Sequence, residues 1–500
     1  MSKTANCLLL FALAGALRAS VKLPSLISDH MVLQQGVPVR IWGTADPGEA
    51  VRVDFQGQTV STNAGQTGKW TAWLKPLAAA GPLEMTIAGS GSIVIRDVLV
   101  GEVWVGSGQS NMEFVLSNAV NHDEEIAHAN YPLIHLFHVK RAVSELPAED
   151  VEGSWQVSTP ETVPRFSAVE YFFGRDLHQR LHVPMGLIES DWGGTPAQSW
   201  ASRTALESDA ALKFVLDEWD QTLAKYPAAK AAYDKRLEDW NVRVAAAKAE
   251  GKTPPPRPGA PAGPGHPNTP AGLYNGMIAP LTPYAIRGVI WYQGESNASE
   301  AHAWRYRRLF GAMIEDWRNH WGEGDFPFLF VQLANYKSNE WWPVLRESQT
   351  ATLGLRNTGM AVAIDVGESR DIHPKNKQDV GLRLALAARH IAYRQSIEYS
   401  GPLYRQVTSE GSQLRVWFTH AESLQAKGGG PLTGFTIAGT DGTFVSADAR
   451  LDGSTVIVSN SQVAIPVAVR YAWADDPVCN LINQAGLPAS PFRSDEPRYQ

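Results

Sequence analysis

Four short blocks of this 500-residue chain carry residue types that together suit acyl transfer. Gly106-Ser107-Gly108-Gln109-Ser110-Asn111 follows the apolar run Val103–Val105 and puts Ser110 where a strand would turn into a helix. Trp192-Gly193-Gly194 follows a run ending near Glu189, and Gln293-Gly294-Glu295-Ser296-Asn297 follows Val289–Tyr292. Asp371-Ile372-His373 precedes the last helical pattern of the central region. A serine hydroxyl is a weak nucleophile until a base takes its proton, and imidazole titrates close enough to neutrality to be that base. The imidazole in turn needs a partner to fix its tautomer. A tetrahedral intermediate needs donors aimed at its oxyanion. Those on offer are the Ser110 N–H, the Gly193-Gly194 turn and the side-chain amide of Asn297 or Gln293. Taken singly, each piece has a plainer reading: a serine at a helix start is usually a cap, and Gly-Gly is usually a turn. Their joint occurrence, each after a strand, gives them weight.

The elements that would position these blocks are legible as a change of grammar. Residues 21–100 contain short alternating runs such as VPVRIWG, AVRVDF and KWTAWL between turn residues, which predicts a small antiparallel β-sandwich. Over 101–398, apolar runs alternate with helical patterns, among them 168–181, 303–321 and 376–393. Such repetition predicts a parallel sheet covered on both faces, with ligands beyond the carboxyl ends of the strands. Within this region, 204–270 reads as an insertion, made of a helical pair and a Pro/Gly-rich connector at 252–270. Strand-like runs return over 399–500 and predict a C-terminal β domain.

Composition excludes other classes. The formal net charge is −7 and no basic cluster stands out, so nucleic acid is not an expected partner. Residues 1–20 read as a cleaved secretory signal peptide, with Lys3 followed by an apolar run and small residues near Ala19. Its removal leaves Cys479 as the one cysteine, so an exported chain without disulfides is expected, in a bacterial periplasm or secreted. No other stretch reaches the ~18 apolar residues of a membrane span. His135 and His138 are three apart on a strand, hence on opposite faces, and no metal site is expected from them. Trp192, Trp200, Trp291, Trp341 and Trp342 flank the four blocks, and indole faces suit sugar rings. Arg346 and Arg370 are candidates for a substrate carboxylate.

GEVWVGSGQSNMEF, LYNGMIAPL, WYQGESNA, DIHPKNKQDVG and NLINQAGLPASPFR resemble signature segments of the SGNH (GDSL-like) hydrolases, most closely the sialate O-acetylesterase family. The likeness runs from about residue 22 to 495. It implies an SGNH-like three-layer α/β sandwich, flanked by N- and C-terminal all-β regions. It further implies hydrolysis of sugar O-acetyl esters without metal or cofactor, with an acetylated carbohydrate as the substrate and no membrane partner after signal cleavage. By position, Ser110 matches the nucleophile, His373 the base, and Gly194 and Asn297 the oxyanion blocks. The superfamily often places Asp three residues before the histidine. Here Arg370 stands there and Asp371 lies two before, so the orienting group is open between Asp371, Glu295 and a backbone carbonyl. The third block reads Gly-Glu-Ser-Asn in place of Gly-x-Asn-Asp, which leaves Gln293 as a second candidate donor. Acetylxylan esterase is the alternative activity, and a non-catalytic carbohydrate-binding protein the alternative class. Oligomeric state is left open.

Overall fold

A computed structural model describes residues 21–338 and 341–496; the leader read in residues 1–20 lies outside them. The central strand, β1 (Ser92–Gly108), is 17 residues long and buried throughout its second half. It is joined by β2 (Tyr131–His138), β3 (Trp155–Ser158), β4 (Met185–Asp191), β5 (Gly288–Tyr292), β6 (Phe328–Gln332) and β7 (Thr358–Val362). The spatial order is β7-β6-β5-β1-β4-β2-β3. All neighbouring pairs are parallel except β2 with β3. Strands buried on both faces read as unbroken apolar runs, as Val103–Val105 and Phe328–Val331 do. From β1 the chain passes to β2 and the edge strand β3, returns to β4 beside β1, and then crosses to β5, β6 and β7 on the other side. The direction of winding therefore reverses at β1, where open sheets form their ligand crevice.

Helices cover both faces. On one, α1 (Ala168–Leu181) lies beside a helix at Lys377–Ile391, and Phe173 meets the ring of Trp104 edge-on at 5.0 Å. On the other, the helix at Tyr306–Trp321 brings Phe310 and Trp317 against Trp291 and Phe328. Local signals explain the starts: Ser167 accepts from the Glu170 N–H, and Asn376 Oδ1 accepts from the Asp379 N–H at 3.1 Å.

The expected junction at residue 100–101 falls inside β1. The first half of that strand pairs antiparallel with Ala80–Ala88 and parallel with Val32–Gln34, while its second half pairs with β4 and β5. Residues 98–108 are all buried, with no turn signal to break the run. After residue 400, two four-stranded antiparallel sheets enclose a separate core of Val416, Ile437, Val458 and Val469.

The insertion differs from the helical pair expected. Beyond a single turn of helix at Arg203–Ser208, one helix, α2 (Lys213–Ala249), runs 37 residues with Pro227 inside it. The return leg is the Pro/Gly tract, which lies along the helix as an extended strap. Trp240 Nε1 donates to Pro255 O at 2.9 Å, and a Cβ at Gly263 would stand 2.1 Å from the Tyr226 ring. Proline has no N–H to continue a helix, so that leg packs through side chains and carbonyls.

Candidate functional site

Gly108 at the end of β1 lies opposite Asp191 of β4 and Tyr292 of β5, so three loops leave the sheet at one level. Gly108 has φ +142°, and any Cβ there would lie 2.2 Å from Tyr292 O. Glycine is the residue that permits the close turn. Gln109 N donates to Tyr292 O at 3.0 Å, while Met112 N and Glu113 N both donate to Gln109 O. The Gln109 side chain accepts from Ser296 N at 3.1 Å, which ties this turn to the loop after β5. Ser110 is thereby held outward at the sheet edge.

His373 arrives on the loop that follows β7. Its Nε2 lies 2.8 Å from Ser110 Oγ, although the two residues are 263 apart in sequence. Burial, helped by the charge of Lys377, lowers the His373 pKa, which favours the neutral ring that can accept the serine proton. Asp371 Oδ1 accepts from the His373 backbone N–H at 2.9 Å and sits 3.6 Å from Nδ1, beyond hydrogen-bond reach of that atom. Glu295, the second reading for the orienting acid, accepts at Oε1 from Asn111 Nδ2 at 2.6 Å, and among the described residues no hydrogen bond joins it to the imidazole.

The expected oxyanion donors sort themselves by what they already hold. Gly193 N donates to Glu113 Oε2, and a Cβ at Gly193 would stand 3.2 Å from Ser110 Cβ, so any side chain there would crowd the serine. Among the described residues, the N–H groups of Ser110 and Gly194 have no protein acceptor. Gln293 is fully buried, and Nε2 spends its two hydrogens on Thr195 O (3.3 Å) and Asn297 Oδ1 (2.8 Å). Asn297 Nδ2 donates to Gln198 Oε1 at 2.9 Å, leaving one hydrogen. Its Oδ1 also accepts from Ala197 N at 2.9 Å, so Asn297 binds the loops after β4 and β5 together.

Trp192 is half-buried beside the Gly193 turn, with the Arg141 guanidinium 5.3 Å over its ring; Arg141 also pairs with Glu113. Trp200, Trp291 and Trp342 are core residues. Arg346 is also withdrawn from any substrate: it is fully buried and donates to the carbonyls of Leu333, Ala334, Ala474 and Asp475. Among the described residues, no group of three or more His, Cys, Asp or Glu is arranged to hold a metal ion.

Sequence reasoning missed a polar trio behind the serine. Lys377 Nζ donates to Asn111 Oδ1, and Asn111 Nδ2 donates both to Glu295 Oε1 and to Ile372 O, the latter at 2.9 Å. Lys377 is fully buried, over the rings of Phe114 and Tyr292, and burial pushes its pKa down to about 7. Asn111 stood in the first block, but a lysine at a helix start reads as a solvated charge, and nothing in its spacing marks it.

An imidazole poised on a serine hydroxyl is the arrangement with which many hydrolases open esters, and comparison with known proteins places the chain among carbohydrate esterases. The family model described as "Carbohydrate esterase, sialic acid-specific acetylesterase" matches residues 267–391. The sialate O-acetylesterase of Mus musculus is 32% identical, over 94% of this chain and 93% of the mouse protein. The sialate O-acetylesterase of Homo sapiens is 30% identical, over 94% and 91%. A crystal structure of a carbohydrate acetylesterase from Xanthomonas citri superposes with a TM-score of 0.82 at 39% identity, covering 95% of this chain and 99% of that one. The chain belongs to the sialate O-acetylesterase family, and is a carboxylic ester hydrolase that removes O-acetyl groups from carbohydrate.

Proposed function

We propose that Ser110 and His373 carry this hydrolysis through an acetyl-serine intermediate, with O-acetylated sialic acids as the substrate class. The observation that supports it most is the 2.8 Å contact between Ser110 Oγ and His373 Nε2. His373 takes the hydroxyl proton as Oγ bonds to the acetyl carbonyl carbon. The N–H groups of Ser110 and Gly194 and the remaining Asn297 Nδ2 hydrogen receive the oxyanion. Collapse breaks the bond to the sugar oxygen, which leaves with the proton held by His373. Water then attacks the acetyl-serine while His373 takes its proton, and acetate departs as Ser110 Oγ recovers that proton. Asp371 is the orienting carboxylate in this reading, closing from 3.6 Å onto Nδ1 as the ring acquires charge. Trp192 offers its face to the sugar ring.

The fold in this reading is the SGNH-like three-layer sandwich flanked by two β regions, and the chain works outside the cytoplasm after losing residues 1–20. The test compares wild type with Ser110→Ala on O-acetylated sialic acids, acetylated xylan and p-nitrophenyl acetate. Acetate release from sialic acids by wild type, lost in Ser110→Ala, is expected. Release from xylan alone would transfer the assignment to an acetylxylan esterase. Equal turnover by both proteins would leave a carbohydrate-binding role as the better reading.

A further inference from the structure

We infer that Asn111 is a positioning residue, gripped between Lys377 and Glu295, that ties the turn bearing Ser110 to the loop bearing His373. The inference rests on the Ser110–His373 reading above. Those two side chains come from segments 263 residues apart, and apart from their own hydrogen bond something must hold the segments in register. Asn111 directly follows Ser110, and its Nδ2 donates at 2.9 Å to the carbonyl of Ile372, which directly precedes His373. A second tether therefore runs parallel to the catalytic contact, one residue away on each strand of chain.

The chemistry of the neighbours fixes which way the Asn111 amide points. An ammonium only donates, whereas a carboxylate and a carbonyl only accept. Lys377 Nζ must therefore meet Oδ1, and Glu295 Oε1 and Ile372 O must meet Nδ2, as they do. Turning the amide over would set NH₂ against ammonium and oxygen against two acceptors, three mismatches in a buried site. Asn111 is 1% exposed and Lys377 0%. The lysine moreover opens the helix Lys377–Ile391, the end at which the helix dipole repels a cation. Burying a cation at the wrong helix end is costly. A packing role alone would be served by an apolar pair of the same volume, whereas locking an amide requires these charges.

The test is a double-mutant cycle on kcat and KM for p-nitrophenyl acetate. Asn111→Leu is expected to lower kcat by ~10²-fold with KM within about twofold, the loss that a displacement of about 1 Å produces. In a His373→Ala background the same substitution is expected to change the residual rate by less than twofold, since a residue acting only through the imidazole has nothing left to position. Glu295→Gln, whose amide oxygen still accepts, should retain activity within about tenfold, whereas Glu295→Leu should resemble Asn111→Leu. Should Asn111→Leu fail to fold, Glu295→Leu takes its place in the cycle. Losses that multiply in the His373→Ala background, or a kcat unchanged in Asn111→Leu, would overturn the inference. A His373→Ala enzyme of full activity would instead sink the underlying serine–histidine reading, a separate outcome.

Discussion

At the residue scale, His373, the proposed base, sits between opposing charges, and their balance sets the pH range in which its ring is neutral. Burial lowers its pKa, Lys377 lowers it further, and Asp371 works the other way. The charged groups facing Lys377 itself are Glu295, Asp371 and Glu368. A positive neighbour disfavours imidazolium, so the ring stays neutral to lower pH than an isolated histidine would. Removing that charge in Lys377→Met should therefore raise the His373 pKa and move the acid limb of the kcat/KM profile to higher pH. A limb that stays in place, or moves down, would show that Lys377 does not act on the imidazole. The residues that carry this tuning differ in how well the sequence exposes them. Ser110 and the glycine turn announce themselves because each follows an apolar run, and His373 because it precedes the last helical pattern of the central region. Lys377 does not, because burial by Phe114 and Tyr292 from other segments is what makes it unusual.

At the scale of elements, the sheet was readable because period and burial agree: runs such as Val289–Tyr292 and Phe328–Val331 are fully buried strands. The junction between the first β region and the parallel sheet was not readable, because one strand serves both and local sequence records no change of partner. The insertion shows a related limit. Helical spacing over 204–250 is plain, but the path of 252–270 depends on contacts with Tyr226 and Trp240 that no periodicity encodes. Gly263 is the point of closest approach. Gly263→Val should drive the strap off the helix, because a Cβ there would overlap the Tyr226 ring. The expected outcome is faster proteolytic cleavage within 252–270 with an unchanged midpoint for the main unfolding transition. Cleavage at the wild-type rate would contradict that packing.

At the scale of the whole molecule, the parts are held by buried polar groups as well as by the apolar core. Arg346, from the helix Trp342–Ala351, donates to Ala474 and Asp475 of the C-terminal region as well as to Leu333 and Ala334 beside β6. Beneath the serine turn, Glu170, Glu189 and Asp191 are all buried. Burial, reinforced by the charge of Glu189, pushes the Glu170 and Asp191 pKa values well above the usual carboxylate range. The folded state thus keeps protons that the unfolded chain releases near pH 4. The slope of stability with pH follows protons bound unfolded minus folded, which is negative here. Stability from these groups is therefore complete below about pH 4 and declines as pH rises toward their raised folded values. Glu170→Gln removes one such proton and should flatten the decline in urea-unfolding free energy between acid and neutral pH. An identical slope in the variant would show that Glu170 is ionised in the fold. The central claim, that one serine hydroxyl activated by His373 opens the ester, is tested most directly by labelling with an organophosphonate and mapping the modified peptide. Wild type should take up one equivalent, on Ser110, in step with loss of esterase activity, and His373→Ala should label far more slowly. Full inactivation with Ser110 unmodified, or full esterase activity with Ser110 modified, would contradict it.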